Sequence, residues 1–309
     1  MTSLAPMPVG GVSSVVFLGT PEVAVPHLEA LVANGVDVEL VVTRPDVRRG
    51  RGSDVSASPV KIAAQKLGIS VSHEVSDVLN IVAQKPNLLG IVVAFGELIP
   101  IEILSHVPMV NVHFSLLPRW RGAAPVERAI LAGDEKTGVC IMRVVEKLDE
   151  GEVFVRQEVS IDREDDVNSL RSRLNEAAIK ILVDKVKKGL GEGIAQTGET
   201  IYAKKIKTGD LQIDWSQSSN LILRQVRVGG AFTFVNGRRL KIVRGKLVTG
   251  VSRDFKSGQI CEISKSSCCV ATGDGAVAIV EVQPEGKSAM PVEEWLKGAR
   301  LSSDFLFGA

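Results

Sequence analysis

The sequence predicts an α/β protein in which an open, doubly wound and mostly parallel sheet is followed by a small β-barrel. Up to residue 189, short apolar runs alternate with stretches that have the spacing of amphipathic helices, as in βαβ units. Beyond residue 208, short strand-like runs are separated by Gly and Asn turns, which is typical of a small barrel. A chain of 309 residues also exceeds what one hydrophobic core usually sustains, so we expect two domains.

The predicted elements follow in order along the chain. In the first domain, strands are predicted at 13–19, 38–44, 88–96, 107–115 and 137–145, and helices at 22–35, 59–68 and 162–189. The second domain is predicted to contain a helix at 219–228 and strands at 232–236, 239–245, 258–264, 268–273 and 276–283. The predicted division is a disordered tail at 1–12, a Rossmann-like domain at 13–189, a linker at 190–208 and the barrel at 209–309.

Several classes of protein are excluded by the glycines, the cysteines and the apolar runs. A dinucleotide-binding turn needs three spaced glycines, but the first strand ends in Gly19 followed by Thr20 and Pro21. The four cysteines form no Cys-x-x-Cys pair and have no histidine at ligand spacing, so we expect reduced thiols and no metal site. Since the sequence has neither a signal peptide nor an apolar run that could cross a bilayer, we expect a cytoplasmic protein without membrane contact.

The net charge of +1 hides an asymmetry. From Lys204 onward there are 16 basic and 10 acidic residues, against 21 basic and 26 acidic residues before it. A basic C-terminal module favours a polyanionic partner, although a solvated surface of mixed charge explains the same counts. The aromatic content of 4% is too low for a platform that stacks single-stranded bases, so charge and shape would hold a nucleic acid.

An arginine-rich loop is predicted between the second strand and the helix that follows it. It carries Arg44, Arg48, Arg49 and Arg51 among glycines and serines, a composition that can close around phosphates. A solvated surface loop is the alternative interpretation. Because such loops in α/β units are usually about 2 to 6 residues long, the extra length favours a function.

Chemically active side chains are concentrated in residues 111–125, NVHFSLLPRWRGAAP. Asn111 and His113 are two positions apart in a predicted strand, so they share one face and reach the cleft if the strand ends at the carboxyl edge of the sheet. The other three histidines are interpreted as core residues; they are His27, His73 and His106. The amide beside His113 makes a chemical role the better interpretation there.

Asp149 would complete this group from the loop that follows the next strand. A carboxylate can orient an imidazole, while an amide can hold a developing oxyanion, and together they suit acyl transfer without a covalent nucleophile. Spacing alone leaves Glu146, Glu150 and Glu152 as competitors in the same loop.

Several motifs together carry a resemblance to a known enzyme family. They are FLGTP at 17–21, TRPD, GRG and SPVK in the arginine-rich loop, VVAFG at 92–96, NVHFSLLPRWRGAAP at 111–125, KLDEGE at 147–152, CVATGDG at 269–275 and QPEGKSAM at 283–290. With them the chain resembles, over most of its length, the methionyl-tRNA formyltransferase family, a branch of the formyltransferases that use 10-formyltetrahydrofolate. Family members often carry Asn-Pro-Trp-Pro after the helix of the second domain, where this chain has Gly229 and Gly230.

The resemblance implies a formyl transfer from 10-formyltetrahydrofolate, as co-substrate, to the α-amino group of methionine on initiator tRNA, for translation initiation. It implies a formyltransferase fold followed by an OB-like barrel that binds tRNA, and a monomer. The implied catalytic residues are Asn111, His113 and Asp149, and the folate-binding residues are Phe95, Gly96, Ser115, Leu116, Leu117 and Pro118. The implied tRNA-binding residues are Arg44, Arg48, Arg49, Arg51, Lys204, Lys205, Lys207, Arg238, Arg239, Lys241 and Arg244.

Two alternatives remain at the level of the sequence. One is a formyltransferase that acts on a small amine, such as a sugar nucleotide or glycinamide ribonucleotide. The other is a binding protein that keeps the fold without turnover. The arginine-rich loop and the C-terminal module favour the tRNA enzyme over the first alternative, and the intact trio argues against the second.

Overall fold

A computed structural model describes residues 3–48, 55–85, 87–250, 254–264, 266–302 and 305–308. The strands are β1 (Ser14–Gly19), β2 (Asp37–Val42), β3 (Val47–Arg48), β4 (Val55–Ser56), β5 (Val71–Ser72), β6 (Leu88–Val93), β7 (Met109–His113), β8 (Arg119–Arg121), β9 (Lys136–Arg143), β10 (Val153–Ser160), β11 (Ile201–Tyr202), β12 (Phe232–Val235), β13 (Arg238–Val248), β14 (Ile260–Ile263), β15 (Cys268–Ala271), β16 (Ala276–Pro284) and β17 (Met290–Pro291).

The α-helices are α1 (Val25–Ala33), α2 (Pro59–Lys66), α3 (Val78–Val82), α4 (Ile101–Leu104), α5 (Pro125–Ala132), α6 (Val167–Lys188), α7 (Ser219–Val228) and α8 (Val292–Ala299). The chain forms two compact units. Unit 1 comprises Met1–Pro125, Lys136–Ser160 and Arg171–Ala203, and unit 2 comprises Val126–Glu135, Ile161–Leu170 and Lys204–Ala309. None of the described helices combines the length and the apolar character needed to cross a bilayer.

The main sheet of unit 1 has seven strands within the described ranges, in the order β10-β9-β7-β6-β1-β2-β5. The five strands from β7 to β5 in this order are parallel, whereas β9 is antiparallel to both β7 and β10. Every residue of β1 and β6 is buried, because helices and loops cover both faces of a parallel sheet. The predicted open and mostly parallel sheet is therefore confirmed.

Helix boundaries in both units follow the capping residues. Before α2, the Oγ of Ser58 accepts a hydrogen bond from the Lys61 N–H at 3.0 Å. Before α7, the Oγ of Ser218 accepts from the Leu221 N–H at 3.2 Å. That helix ends at Gly229, whose φ of 90° would strain a residue with a side chain.

The sheet of unit 2 is antiparallel and has the order β12-β13-β16-β15-β14, with β17 added beside β16. All five strands predicted from the sequence are present, and a common apolar core includes Trp215, Ile222, Ile242 and Ile279. The indole Nε1–H of Trp215 donates to the Thr233 hydroxyl at 3.0 Å, so its buried polar group is satisfied. The predicted α/β sheet followed by a small β domain is thus the observed fold class.

The segment predicted as a linker has structure of its own. Its strand β11 pairs in parallel with β8, and Ile194 forms an antiparallel bridge with Val153 at the start of β10. The strand β10 was itself absent from the sequence prediction, because its central residues Arg156, Gln157 and Glu158 are exposed and break the apolar pattern.

The N-terminal segment also differs from the prediction of a disordered tail at residues 1–12. Ala5 is buried, its N–H donates to the Leu104 carbonyl at 2.9 Å, and its own carbonyl accepts from Arg143 Nη2 at 2.7 Å. Val12 is also buried, and its N–H donates to the Val186 carbonyl at 2.9 Å. From Ser3 onward, this segment therefore has an ordered course on unit 1.

Candidate active site

A cavity of about 490 Å³ lies in unit 1 at the carboxyl ends of β6 and β7. Its lining consists of Val92, Ala94, Phe95, Gly96, Glu97, Leu98, Ile99, Asn111, Val112, His113, Phe114, Gly122, Ala123, Pro125, Met142, Val144, Val145, Glu146, Lys147, Leu148 and Asp149. Ligands of open α/β sheets bind at this edge, because the loops that leave the parallel strands meet there. The cavity brings together the predicted trio with two of the predicted folate-binding residues.

The loop after β6 forms one wall of the cavity. Its backbone turns sharply, with φ of 47° at Ala94 and 84° at Gly96. Phe95 is buried between them, and its carbonyl accepts a hydrogen bond from the Thr20 Oγ1 at 3.1 Å. The side chain at the end of β1 therefore fixes the wall that carries Phe95 and Gly96.

Asn111 and His113 lie on β7, in the middle of the sheet. His113 is 5% exposed, and its Nε2 donates to the Trp120 carbonyl at 2.8 Å, because a carbonyl can only accept. This bond fixes the ring orientation and leaves Nδ1 for another partner. Among the described residues, the side-chain amide of Asn111 has no hydrogen-bond partner. Its N–H groups are therefore available to a ligand in the cavity.

Asp149 is the carboxylate that lies beside His113. Its Oδ2 is 3.6 Å from His113 Nδ1 and accepts a hydrogen bond from the Gly122 N–H at 2.8 Å. The Gly122 backbone has φ of 113°, and a Cβ there would lie 3.1 Å from the Ala203 carbonyl, so the close approach requires glycine. The strand-to-loop passage 119–122 therefore presents both the Trp120 carbonyl and the Gly122 N–H to the two side chains.

The competing glutamates of this loop have other partners or positions. Glu150 Oε1 is 3.1 Å from Arg121 Nη1, and Glu152 Oε2 is 4.0 Å from Arg143 Nη1. Glu146 lines the cavity without approaching His113 within ion-pair distance. Of the four acidic side chains, the structure brings only Asp149 to the imidazole.

Two potential nucleophiles near the trio are held in unreactive states. Cys140 pairs with His113 across β9 and β7, and burial raises the pKa of its thiol to about 11. The Oγ of Ser115 is fully buried and donates to the Arg119 carbonyl at 2.6 Å. Chemistry in this cavity therefore has no activated serine or cysteine from these two positions.

Four residues predicted to bind folate lie outside the cavity lining; they are Ser115, Leu116, Leu117 and Pro118. Leu117 is 3% exposed and packs in a small core with Cys140, Met142 and Val153. The resemblance implies that these four residues bind folate, and this stays a prediction. In the structure, the segment directly follows β7, the strand that carries His113.

One residue of the site was missed in the sequence. Gln196, in the segment predicted as a linker, donates from Nε2 to the carbonyls of Asp149 and Gly151, each at 2.8 Å. Its Oε1 accepts from Arg121, which is 8% exposed. Through Gln196, Arg121 therefore anchors the loop that carries Asp149. No periodic pattern marks such a residue, since its bonds join segments distant in sequence.

The arginine-rich loop is described in part. Arg44 Nε is 3.1 Å from Glu97 Oε1 at the cavity wall, with both side chains exposed, and Arg48 lies in β3, which pairs with β4. The predicted tRNA-binding residues Arg49 and Arg51 lie outside the described residues.

The remaining predicted tRNA-binding residues belong to unit 2. Lys204, Lys205 and Lys207 are exposed near the short 3₁₀ helix Thr208–Leu211. Four lie along β13: Arg238, Arg239, Lys241 and Arg244. Of these, Arg239 stacks over Phe232 at 3.7 Å, and Arg244 Nη2 is 3.7 Å from Glu281. Both guanidinium groups therefore have protein partners, and of the two residues Arg244 is exposed whereas Arg239 is half-buried.

Among the described residues, the other ionisable side chains form no second site like that of the trio. The four cysteines are free, and the described residues contain no cluster of three or more His, Cys, Asp or Glu side chains suited to a metal ion. Of the remaining histidines, His27 is in the core as predicted, whereas His106 is exposed and bonds to the Glu102 carbonyl at 2.8 Å. His73 is half-buried and bonds to the Thr43 carbonyl at 2.9 Å.

Comparison with known proteins decides the family. The family described as formyl transferase matches residues 13–186, and the family described as formyl transferase, C-terminal domain, matches residues 205–300. The methionyl-tRNA formyltransferase of Heliobacterium modesticaldum is 38% identical, and the match covers 95% of this chain and 99% of that protein. The chain belongs to the methionyl-tRNA formyltransferase family. The methionyl-tRNA formyltransferase of Jannaschia sp. is also 38% identical, with 93% of this chain and 97% of that protein covered.

The methionyl-tRNA formyltransferase family shares its fold with a more distant protein of known structure. HypX from Aquifex aeolicus, crystallised in complex with tetrahydrofolic acid, has a TM-score of 0.63 at 16% sequence identity. The match covers 92% of this chain and 47% of HypX, so the chain spans about half of that protein. At this identity, the likeness concerns the fold.

Proposed function

We propose that this chain transfers the formyl group of 10-formyltetrahydrofolate to the α-amino group of methionine on initiator methionyl-tRNA. Asn111, His113 and Asp149 are the proposed catalytic residues. The observation that carries the proposal is the approach of Asp149 Oδ2 to within 3.6 Å of His113 Nδ1 in the cavity that Asn111 also lines. Membership of the methionyl-tRNA formyltransferase family supports the choice of donor and acceptor.

The proposed role of Asn111 and His113 is to stabilise negative charge. The neutral amine of methionine attacks the formyl carbon, and the formyl oxygen gains negative charge as the carbon becomes tetrahedral. The unpartnered Asn111 amide can donate to this oxygen. His113 donates from Nε2 to the Trp120 carbonyl, its Nδ1 faces Asp149, and the ring so oriented lies in the same cavity and acts with Asn111 on this charge.

Asp149 is the proposed proton acceptor. Its Oδ2 is engaged by the Gly122 N–H, whereas its Oδ1 has no partner among the described residues, so this oxygen can take the proton that the attacking amine loses. The C–N bond to the folate N10 then breaks, and N10 receives one proton, by way of Asp149, His113 or water. One proton leaves the amine and one reaches the leaving nitrogen, so the reaction is balanced.

The proposed folate site includes the wall that carries Phe95 and Gly96, and the fact that these two predicted residues line the cavity together with the trio supports this. Apolar walls with a few convergent polar groups are typical of sites for ligands of this size. HypX, which shares this fold, was crystallised with tetrahydrofolic acid, and this supports a folate as the ligand. Ser115, Leu116, Leu117 and Pro118, which follow β7, remain part of the proposed folate site.

The tRNA is proposed to be held mainly through its phosphates, by the basic residues predicted for this role in both units. Lys204, Lys205 and Lys207 are exposed, as phosphate contacts require. In this proposal residues 13–189 are the catalytic domain, residues 190–208 join it to the tRNA-binding domain at 209–309, and the enzyme acts as a monomer in the cytoplasm, where translation is initiated.

A formylation assay tests the proposed function. The chain is incubated with 10-formyltetrahydrofolate and, in separate reactions, methionyl initiator tRNA, methionyl elongator tRNA or an amino-sugar nucleotide. We expect formylation of the initiator tRNA to be the fastest and to be slowed by Arg51→Ala. Preference for the small amine would refute the proposed acceptor, and absence of transfer to all three would leave only a binding function.

A further inference from the structure

The side chain of Gln196 uses all of its hydrogen-bonding capacity within unit 1. Its Nε2 donates to the carbonyls of Asp149 and Gly151, each at 2.8 Å, and its Oε1 accepts from Arg121 Nε at 3.0 Å and Nη2 at 2.8 Å. A glutamine amide has two N–H donors and one oxygen with two lone pairs, so all four sites are occupied. Gln196 therefore ties the loop that carries Asp149 to the strand that carries Arg121.

The backbone at Asp149 needs such support. Its φ of 52° lies in the left-handed region, which is less favourable than the right-handed region for a residue with a side chain. Gln196 bonds to the carbonyl of Asp149 itself and to that of Gly151, and thus fixes the peptide groups that join Asp149 to Glu150 and Gly151 to Glu152. The direction in which the Asp149 carboxylate leaves the backbone depends on the first of these peptide groups.

The Arg121 end of the link is equally well fixed. Arg121 also pairs through Nη1 with Glu150, and its carbonyl accepts from the Ala203 N–H at 2.7 Å. The next residue, Gly122, donates its N–H to Asp149 Oδ2. A closed ring of bonds therefore runs from the Asp149 carboxylate through Gly122, Arg121 and Gln196 back to the Asp149 carbonyl.

We propose that Gln196 is a positioning residue that holds the Asp149 carboxylate beside His113. This inference rests on the proposed function, because it concerns the orientation of a proposed catalytic residue. Gln196 does not line the cavity, so it acts through Asp149. Its neutral amide is required for the role, because a glutamate would satisfy Arg121 but would place a carboxylate oxygen against two carbonyl oxygens.

Two variants of Gln196 separate positioning from general stabilisation. Gln196→Met keeps the approximate volume and removes all four bonds, and Gln196→Glu keeps the Arg121 bonds and removes the two donors. The matched control is Gln157→Met, since Gln157 is exposed on β10 and its Nε2 bonds to the neighbouring Glu158 carbonyl at 3.1 Å. For each variant, kcat and KM for both substrates are measured, together with the thermal unfolding midpoint.

We expect both Gln196 variants to lower kcat by about 10- to 100-fold, because small displacements of a reacting group have effects of this size. The KM values should stay within about twofold of the wild-type values, and the control should match the wild type. In an Asp149→Asn background, Gln196→Met should add less than about a twofold loss, because its effect passes through Asp149.

The opposite outcomes overturn the inference. The inference is wrong if both Gln196 variants keep the wild-type kcat. It is also wrong if Gln196→Met lowers kcat by as large a factor in the Asp149→Asn background as in the wild type. A fall in activity that only follows loss of folded protein in both variants would show a purely structural role. If the wild-type chain forms no formylmethionyl-tRNA, the proposed function fails instead, which is a distinguishable result.

Discussion

Two buried histidines of unit 1 show how differently the same side chain can be used. His113 is 5% exposed at the end of β7, and each of its ring nitrogens faces a polar atom, the Trp120 carbonyl and the Asp149 carboxylate. His27 is fully buried in α1, where Nδ1 donates to the Val23 carbonyl at 3.2 Å and Nε2 has no partner among the described residues. Burial lowers the pKa of His27 to about 4, against the weaker opposing effect of the Val23 carbonyl.

The comparison teaches that burial alone does not prepare a histidine for proton chemistry. His27 stays neutral because burial outweighs its bond to the Val23 carbonyl, so that its pKa is lowered. His113 has a polar partner beside each ring nitrogen, so its ring is oriented within the cavity. The two sites are also neighbours through Phe114, which lines the cavity and packs edge-on against His27 with ring centroids 6.1 Å apart. His27 thus forms part of the apolar backing of the cavity wall.

The largest effect is expected from the His113 side of the comparison. His113→Ala should slow single-turnover formyl transfer by about 100- to 1,000-fold, because the ring that faces Asp149 in the cavity is lost and with it the charge stabilisation proposed for it, and Asn111→Ala and Asp149→Ala should also slow it strongly. His106→Ala is the matched control, since His106 is exposed and bonds to its own helix. Near-wild-type rates in all three site variants would remove the trio from the mechanism.

A buried thiol beside His113 tests whether burial suppresses reactivity there as well. With the pKa of Cys140 raised to about 11 from an ordinary value of 9.0, its thiolate fraction at pH 8 should be about 100-fold lower than in the unfolded chain. Alkylation by iodoacetamide, followed by peptide mass spectrometry, should therefore be at least that much slower in the folded protein. The partly exposed Cys261 serves as the internal control, and equal rates at both cysteines would contradict the expectation.

The His27 side of the comparison predicts a dependence of stability on pH. Because its pKa is lowered from 6.5 to about 4 in the folded protein, the unfolded chain binds more protons between these values. Above pH 6.5, the protonation of His27 therefore has no effect on the free energy of unfolding. As the pH falls below this value, the free energy of unfolding decreases, by about 2 kcal/mol at pH 5. Urea unfolding of the wild type and of His27→Leu at pH 7 and pH 5 measures this decrease. The free energy of unfolding should fall more between the two pH values in the wild type than in His27→Leu.

An identical pH response in wild type and His27→Leu would show that His27 is not the neutral group inferred from its burial. The formyl-transfer rate of His27→Leu at pH 7 is the second readout. It should stay within a few-fold of the wild-type rate, because His27 is already uncharged at that pH.

The smallest effect is expected from replacing Phe114, which follows His113 in the chain and packs against His27. Phe114→Leu removes the edge-on ring contact with His27 and should lower the free energy of unfolding by about 1 kcal/mol. The transfer rate should fall by less than about tenfold, since no polar group of the trio is removed. Thermal unfolding and single-turnover rates of Phe114→Leu and His27→Leu, alone and combined, show whether the two side chains are coupled.

Much of the site could be predicted because it follows the geometry of the sheet. A two-residue spacing in a strand places Asn111 and His113 on one face, and the carboxyl ends of parallel strands bring Phe95 and Gly96 to the same edge. The choice of Asp149 over three glutamates needed the resemblance to a family, and the structure agrees with it through the distance to His113.

The unpredicted part depends on bonds between distant segments. Gln196 lies in a stretch rich in glycine and threonine that has no apolar period, yet its side chain links residues 75 and 45 positions away. Leu117 looks like a loop residue in sequence, but it is buried by contacts with residues of β9 and β10, which are distant in sequence. Side-chain bonds to the main chain leave no pattern that propensity or periodicity can detect.

The left-handed backbone at Asp149 restricts which amino acids evolution can place there. Aspartate and asparagine adopt this conformation more readily than most residues, because their short polar side chains tolerate it. Glutamate would keep the charge but lose that tolerance, and its longer side chain would carry the carboxylate past the Gly122 N–H. Asp149→Glu, which keeps the charge, is therefore an unfavourable substitution. Fewer amino acids are accessible to the family at this position than the need for a carboxylate alone would allow.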